Sequence, residues 1–252
     1  MRFASLGSGS KGNGTLVEHG RTCILVDSGF SLAQVKARLA RLGRTIEELT
    51  AILVTHEHSD HVRGVATLAR HCNAAVWMTP GTAAHCEPDM PRLQHFSCHQ
   101  PFAIDELWIE PFPVPHDARE PSQFVFSDGA RRLGMLTDVG SSTRHIEATL
   151  SRCDALLLEC NHDEQMLQQG SYPPPLKKRV GGEHGHLSNA QAAQLLGRID
   201  CSVLQHVVAA HLSEENNTPL HAQRALGTAL GCQPQWIAIA DQQQGLAWRH
   251  IS

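Results

Sequence analysis

The heptapeptide Thr-His-Glu-His-Ser-Asp-His at residues 55–61 concentrates groups that can bind a metal ion. Its three imidazoles and two carboxylates are costly to remove from water unless a strong partner compensates them, and a divalent cation would compensate all of them. His56 and His58 are two positions apart, which places them on one side of an extended segment. Asp60 and His61 follow where the chain turns into a predicted helix. The pattern therefore predicts a metal site.

Three more candidate ligands stand at the ends of other predicted strands, namely His116, Asp138 and His211. Each of them alone is also explained as an exposed or capping polar group, and the heptapeptide alone could be a histidine-rich loop that faces solvent. Their recurrence at strand ends favours one shared metal site. Imidazole nitrogen and carboxylate oxygen suit zinc, manganese or iron, and no thiolate is needed.

The composition, charge and cysteine spacing of the chain limit the kinds of protein it can be. The 252 residues carry a net charge of -4 and are 41% hydrophobic, so the chain is globular and any contact with nucleic acid must come from a local basic patch. The eight cysteines form no Cys-x-x-Cys pair, which favours reduced thiols. No apolar segment of a signal peptide is visible, and no stretch approaches about 18 apolar residues. We therefore predict a cytoplasmic protein without membrane contact, and the sequence does not predict its oligomeric state.

The elements that position these groups follow from turn residues and hydrophobic periodicity. Predicted strands occupy residues 2–6, 15–18, 22–26, 51–54, 75–78, 102–115 with a turn at 105–106, 123–127, 133–136, 155–159, 202–208, 236–240 and 246–248. Predicted helices occupy residues 31–42, 62–72, 81–87, 143–151, 188–196 and 219–230, with a helical turn at 45–48. Residues 164–187 are predicted to form a long loop after an initial helical turn. Two sheets packed together, with helices on both outer faces, would use this order.

The ordered series of polar residues resembles that of the metallo-β-lactamase-fold superfamily, over essentially the whole chain. The series consists of Asp27, His56, His58, Asp60, His61, His116, Asp138 and His211. The resemblance implies an α/β fold, the four-layer αβ/βα sandwich in which two mixed β-sheets are flanked by helices. It also implies that residues 1–252 form a single domain.

The same resemblance implies the ligands of two divalent metal ions, Zn or Mn. The first ion would be bound by His56, His58 and His116. The second ion would be bound by Asp60, His61 and His211. Asp138 would bridge the two ions, and Asp27 would fix the loop and orient a ligand from behind. A metal-bridging hydroxide would be the nucleophile, with Asp60 as a possible acceptor of the proton from the water.

Four further segments, residues 7–13, 159–163, 185–189 and 211–217, resemble the small bacterial WalJ/YycJ-like proteins. That family is similar to nucleases and phosphodiesterases and is linked with exonuclease action on DNA. The resemblance implies an exonuclease-type enzyme whose substrate is a nucleic acid or a small phosphodiester. Two other functions stay open: hydrolysis of a small ester, thioester or lactone, and a metal-binding regulatory role without catalysis.

Three histidines outside the ligand series are candidates for contact with the substrate: His162, His184 and His186. They stand beside a basic segment, which favours phosphate binding or protonation of the leaving group. We therefore treat His162 and His186 as candidate catalytic residues and His184 as a candidate substrate-binding residue. A structural role is the alternative for each.

Five other residues are predicted to bind the substrate. Lys177, Lys178 and Arg179 would supply a local positive field for phosphates, and an ordinary solvated run of charge is the alternative. Tyr172 is the only tyrosine and could stack on a base, or simply pack. Asn13, in a Gly/Ser/Asn loop, could place a backbone N–H near the metals, although a plain turn would use the same residue.

Overall fold

The computed structural model describes residues 1–86 and 89–252. Within these ranges the strands are β1 (Arg2–Gly7), β2 (Gly14–His19), β3 (Thr22–Val26), β4 (Ala51–Leu53), β5 (Ala75–Met78), β6 (Leu93–His95), β7 (Phe102–Ile104), β8 (Leu107–Pro113), β9 (Ser122–Ser127), β10 (Arg132–Leu136), β11 (Ala155–Glu159), β12 (His206–Ala210), β13 (Ala238–Ile239) and β14 (Leu246–His250). The α-helices are α1 (Leu32–Arg41), α2 (Ser59–Val62), α3 (Val65–His71), α4 (Pro80–Ala83), α5 (Arg144–Leu150), α6 (Glu164–Gln169), α7 (Pro174–Val180), α8 (Asn189–Leu196) and α9 (Pro219–Leu230). Short 3-10 helices occupy Ile46–Glu48 and Pro234–Trp236.

The described strands form two sheets of matching construction. Their orders are β14-β1-β2-β3-β4-β5-β6 and β13-β12-β11-β10-β9-β8-β7. In the first sheet β1, β2 and β3 are antiparallel, and β3 to β6 are parallel. In the second sheet β7 to β10 are antiparallel, and β10 to β13 are parallel. Both sheets are therefore mixed, as predicted.

Alternation of side chains along the strands builds three apolar layers. Val26 of β3 packs with Phe124 of β9 in the core between the sheets. The neighbouring Leu25 points to the opposite face and packs with Val35 of α1. An equivalent layer lies between the second sheet and α5, α8 and α9. Each fully buried side chain of this size contributes about 1.5–3 kcal/mol. The layers confirm the predicted order of helix, sheet, sheet and helix.

All eight cysteines lie in the described ranges, and none is paired in a disulfide. Burial raises the pKa of Cys23 and of Cys153 to about 12, so both thiols stay protonated and unreactive at neutral pH. Across residues 1–86 and 89–252, no helix is both long and apolar enough to cross a lipid bilayer.

The segment at residues 164–187, predicted as a long loop, contains two helices, α6 and α7. Pro174 and Pro175 occupy the first turn of α7, where a missing backbone N–H costs no hydrogen bond. Consecutive prolines therefore begin a helix here. The predicted initial helical turn corresponds to α6, and the prediction of little regular structure after it was wrong. Gly181 then ends α7.

Smaller differences concern the ends of elements. The helix predicted at residues 62–72 is divided into α2 and α3, and the strand β6 was not predicted. The strand predicted at 202–208 begins only at β12, and that at 236–240 is reduced to β13. The helix predicted at 81–87 is confined to α4, and its predicted last residue, Glu87, lies outside the described residues.

The strands bring their polar ends to one edge of the sandwich. Since β8, β10, β11 and β12 run in the same direction, their carboxyl ends meet, and β3 and β4 behave likewise in the other sheet. Asp27, Asp138 and His211 each leave a strand with a positive φ, of 62°, 54° and 54°. Side chains other than glycine rarely adopt this conformation unless their surroundings impose it. The shared backbone geometry turns these three side chains toward a common site.

Candidate metal centre

His56, His58 and His116, which we call the first ligand group, place one ring nitrogen each within 4.8 Å of one another. His116 Nε2 lies 3.3 Å from His58 Nδ1. The opposite nitrogens are held by the protein, since His116 Nδ1 lies 3.1 Å from the Gly185 carbonyl and His56 Nδ1 lies 3.0 Å from Thr55 Oγ1. These contacts leave Nε2 of His56 and of His116 for a ligand.

Asp60, His61 and His211, which we call the second ligand group, also converge within 4.8 Å. Asp60 Oδ2 lies 3.4 Å from His61 Nε2 and 3.7 Å from His211 Nε2. Burial alone would raise the pKa of Asp60, but the imidazoles of His211 and His61 beside it outweigh burial and hold the pKa well below its ordinary value. The carboxylate is therefore ionised and can bind a cation.

Asp138 adjoins both ligand groups. It lies within 4.8 Å of His56 and His61 in one set of ligand atoms, and of His186 and His211 in another. Its Oδ2 is 3.3 Å from His61 Nε2, and its Oδ1 is 3.5 Å from His211 Nε2. Asp138 is therefore positioned as a ligand that both groups could share.

Unsatisfied buried atoms show that this site suits a metal ion. His56 Nε2, His211 Nε2 and Asp138 Oδ2 are buried and make no hydrogen bond to any residue that the structure describes. Such orphaned groups are rare because burying them without a partner is costly. All three are nitrogen or carboxylate oxygen atoms, which are ligands of zinc and similar divalent ions. The donor set therefore fits a metal centre.

The charges of the centre point to the same ligand. Burial opposes the charged form of His211, but the carboxylate of Asp138, the nearby carboxylate of Asp60 and a hydrogen bond to Glu159 raise its pKa to about 10. Burial is likewise outweighed at His61, where Asp138 and Asp27 raise the pKa well above the ordinary value. Burial lowers the pKa of His56 far below it. The carboxylates of the centre keep His61 and His211 protonated, and a bound cation would neutralise the same negative charge.

Glu159 is a central residue that the sequence analysis did not select. It is 0% exposed and ends the apolar strand β11. Its carboxylate accepts hydrogen bonds from five groups, which are the backbone N–H of Asp138, Val139 and Leu187 and the Nδ1 atoms of His186 and His211. Burial would raise its pKa, but His186 and His211 outweigh that effect and lower it to about 2. The sequence feature that could have identified Glu159 is a carboxylate at the end of an apolar strand, a position similar to that of Asp27 after β3.

Asp27 lies behind the second ligand group, at the position where the sequence analysis expected a supporting residue. Its Oδ2 is 2.8 Å from His61 Nδ1. The same carboxylate accepts hydrogen bonds of 2.9 Å from the Thr55 N–H and hydroxyl. Because Asp27 occupies Nδ1, His61 presents Nε2 to the centre. Thr55, which was not selected, therefore links the supports of His56 and His61.

A cavity of about 390 Å³ opens above the centre. Tyr172 and Arg179 line its wall, and His186 lines it beside the second ligand group. Arg179 Nε donates a 2.7 Å hydrogen bond to Asp117 Oδ2. Asp117 Oδ1 in turn lies 3.6 Å from His116 Nε2. The structure therefore brings three of the predicted substrate or catalytic residues to the cavity, and it adds Asp117, which was not predicted.

Three predicted residues lie elsewhere. Lys177 and Lys178 stand on the other side of α7 from Arg179, in the wall of a different cavity. His162 lines that second cavity as well. The structure therefore does not bring them to the metal centre. For the two lysines the reason is that successive positions of a helix point in different directions.

His184 contacts the centre through Asp117, whereas the side chain of Asn13 contacts it directly. His184 is exposed, and its carbonyl accepts a 3.1 Å hydrogen bond from the Asp117 N–H. The Asn13 backbone N–H, predicted to lie near the metals, donates a 2.8 Å hydrogen bond to the Asp60 carbonyl. The Asn13 side-chain Nδ2 lies 3.1 Å from His61 Nε2 and 3.3 Å from Asp60 Oδ2.

Comparisons with known proteins agree with this architecture. A family described as Beta-lactamase superfamily domain matches residues 22–212. The chain is 32% identical to exodeoxyribonuclease YycJ of Bacillus anthracis, over 91% of this chain and 89% of that protein. It is 34% identical to exodeoxyribonuclease WalJ of Streptococcus pneumoniae, over 86% and 83%. The crystal structure of the metallo-β-lactamase fold protein YhfI from Bacillus subtilis aligns with a TM-score of 0.75 at 15% identity, over 99% of each chain. The chain therefore belongs to the β-lactamase superfamily and, within it, to the family of WalJ and YycJ.

Proposed function

We propose that this protein is a dinuclear metal-dependent phosphodiesterase that acts as an exonuclease on DNA ends or oligonucleotides. The observation that carries the proposal is the position of Asp138, whose two carboxylate oxygens lie 3.3 Å from His61 and 3.5 Å from His211 while its ligand set also includes His56. One carboxylate beside both ligand groups suits a pair of ions. The names of the relatives YycJ and WalJ support DNA as the substrate.

The ligand groups would hold two divalent ions, and nitrogen and carboxylate ligands fit zinc and manganese alike. When bound, such ions supply a nucleophilic water of lowered pKa and stabilise the charge on the phosphate. Asp60 and Asp138 differ in access, because their side chains are 21% and 3% exposed. Asp60 would therefore be the carboxylate that accepts a proton from the water, and the more buried Asp138 would serve as a ligand shared by both groups.

His186 is the candidate proton donor to the leaving group. Its side chain is 21% exposed and lines the cavity. Its Nδ1 is held 2.8 Å from Glu159 Oε1, so Nε2 is the ring nitrogen that remains for the substrate. The hydrogen bond that the ring donates to this buried carboxylate stabilises its protonated form and orients it.

Tyr172 and Arg179 are the candidate contacts to the DNA strand. Arg179 uses Nε for Asp117, which leaves the N–H groups of both terminal nitrogens for a phosphate. Tyr172 lies in the same wall and offers a ring on which a terminal base can stack. Stacking tolerates any base, which suits an enzyme that removes nucleotides from an end.

A turnover panel with zinc or manganese tests the proposal. It compares phosphorylated duplex DNA, single-stranded DNA, RNA, an aryl phosphodiester and a thioester. We expect stepwise release of nucleotides from DNA. His61→Ala should reduce the bound metal from two ions to one and lower the rate more than about 100-fold. His71→Ala, at the exposed end of α3, is the matched control and should keep both properties.

Three results would overturn this function. Full turnover by His61→Ala with one ion would contradict a dinuclear mechanism. Hydrolysis of the thioester without cleavage of any phosphodiester would assign the centre to another substrate. A protein that holds two ions and hydrolyses no member of the panel would point to a regulatory role.

A further inference from the structure

A second cavity lies on the side of α7 that faces away from the metal centre. It encloses about 420 Å³, and among the described residues it shares no part of its wall with the cavity above the centre. Its polar wall residues come from α6, α7, α8 and the adjoining loops, and they include His162, Glu164, Lys177, Lys178 and Gln191. The proposed hydrolysis uses none of these groups.

His162 is the most deeply buried polar residue of this cavity, with 2% of its surface exposed. Its Nδ1 lies 3.4 Å from Asn161 Oδ1, and Asn161 Nδ2 donates a 3.0 Å hydrogen bond to the His211 carbonyl. Because the second bond fixes the amide, the Asn161 oxygen faces His162 and favours the tautomer with the ring proton on Nδ1. Nε2 therefore presents a lone pair, and it has no hydrogen-bond partner in the described part of the chain.

Gly181 keeps the space beside His162 Nε2 open. It ends α7 with φ −87° and ψ 10°, which other residues also adopt. A Cβ at this position would lie 4.0 Å from His162 Nε2 and 3.5 Å from both Leu167 Cδ2 and the Lys177 carbonyl. Alanine would therefore fit without strain and would place a methyl group against the nitrogen. The position offers a way to narrow the space beside Nε2 while every polar group stays in place.

The remaining groups supply mainly hydrogen-bond donors and positive charge. Lys177 Nζ donates one 2.6 Å hydrogen bond to a carbonyl of α6 and keeps two hydrogens, and Lys178 adds a second ammonium. Glu164 is the opposing charge, and its Oε1 already accepts a 2.9 Å bond from the Ser188 hydroxyl. Gln191 Oε1 accepts from the Ser188 N–H at 2.8 Å, which leaves its amide N–H groups for a ligand.

A phosphate monoester matches this arrangement. Its terminal oxygens accept hydrogen bonds from the ammonium and amide donors, and its second ionisation lies near pH 6, so one oxygen can still carry a proton close to neutral pH. That proton is the one that His162 Nε2 can accept. A phosphodiester has no such proton and leaves the nitrogen without a partner.

We propose that this cavity binds a phosphate monoester, which is either the terminal phosphate of a strand or a free nucleotide. The inference concerns binding outside the metal centre, and it holds whether or not the protein is a nuclease.

Calorimetric titration of the full metal-loaded chain tests the inference, with phenyl phosphate as the monoester and methyl phenyl phosphate as the diester. We expect the wild-type protein to bind phenyl phosphate at two sites, the metal centre and this cavity. Gly181→Ala should weaken the second site more than about tenfold and keep the first. Gly197 ends α8 with a similarly unstrained backbone, so Gly197→Ala is the matched control. It should bind phenyl phosphate at both sites. Lys178→Gln should also weaken the second site.

A single phenyl phosphate site in the wild-type protein, or an unchanged second site in Gly181→Ala, would overturn the proposal. Equal binding of the diester to the second site would overturn the role of His162. Competition with a mononucleotide and with a terminally phosphorylated oligonucleotide identifies the source. Displacement by both supports a strand end, displacement by the mononucleotide alone supports a free nucleotide, and displacement by neither contradicts the proposal.

Discussion

Glu159 and His211 are joined by a 3.1 Å hydrogen bond between Glu159 Oε1 and His211 Nδ1, beneath the second ligand group. The bond holds the ring proton on Nδ1, so the lone pair of His211 Nε2 faces the centre. Loss of a carboxylate that orients a metal-binding histidine in this way usually lowers metal affinity about 10- to 100-fold. Glu159 is therefore a positioning residue with a measurable effect.

Glu159→Gln should weaken binding of one metal ion about 10- to 100-fold and lower turnover in step. Glutamine keeps the size of the side chain, but it carries only one acceptor oxygen where Glu159 accepts five hydrogen bonds. Competition with a chelator measures the affinity of each ion. Glu183→Gln, at an exposed position, is the control and should match the wild-type protein. Two ions bound at wild-type affinity in Glu159→Gln would show that Glu159 does not support the centre.

Arg179→Gln should raise KM for oligonucleotide cleavage about tenfold and change kcat less. The arginine lies in the wall of the cavity and its side chain is 63% exposed, so the substitution mainly removes a contact to the substrate. If that contact is to a phosphate, the slope of log KM against log salt should fall by about 0.7 for a single strand. Arg198→Gln, which removes an exposed arginine paired with Glu147, is the control. Equal effects of both substitutions would argue against a specific phosphate contact.

The residues that the sequence proposes as metal ligands lie together at one edge of the sandwich, because strand ends and residue types carry that information locally. The sequence could not predict that Lys177 and Lys178 line one cavity and Arg179 another. The direction of each side chain depends on where α7 begins and on what packs beside it. A run of charges on a helix is spread over directions about 100° apart. Glu159 was missed for a related reason: an apolar strand predicts a buried position, but only the neighbouring strands reveal that histidines surround the carboxylate.

Glu18→Gln should lower the free energy of unfolding by about 1 kcal/mol at pH 7. Glu18 accepts 2.7 Å hydrogen bonds from Arg2 and Arg44, far from the centre. Burial would raise the pKa of Glu18, but the two guanidinium groups outweigh it and lower the pKa. A lowered pKa stabilises the fold above the unfolded value near 4.5, and this contribution is lost as the pH falls through the folded value.

Urea unfolding of both proteins between pH 3 and pH 7 checks that dependence. The difference between wild type and Glu18→Gln should be largest at neutral pH and should shrink in acid. Glu183→Gln should show no difference at any pH. A difference that is constant over the whole range would mean that packing of the side chain, and not its charge, provides the stability.

Gly29 marks a place where three segments of the chain cross beneath the second ligand group. Its N–H donates to the Asn13 carbonyl at 3.0 Å, and the Asn13 N–H donates to the Asp60 carbonyl at 2.8 Å. A Cβ on Gly29 would lie only 1.7 Å from the Asp60 carbonyl oxygen. Because that oxygen belongs to the backbone of α2, it cannot rotate away.

Gly29→Ala should therefore displace Asp60 and His61 and remove one metal ion, while the first ligand group keeps the other. Strain of this kind typically costs about 1–3 kcal/mol of stability, which thermal unfolding measures. Elemental analysis should find close to one ion per chain, and turnover should be lost. Gly14→Ala is the matched control, since a Cβ there meets Leu6 Cδ1 at 3.4 Å and the Asp27 carbonyl at 3.5 Å, which are ordinary contacts. Two ions and normal turnover in Gly29→Ala would show that α2 can shift without loss of the centre.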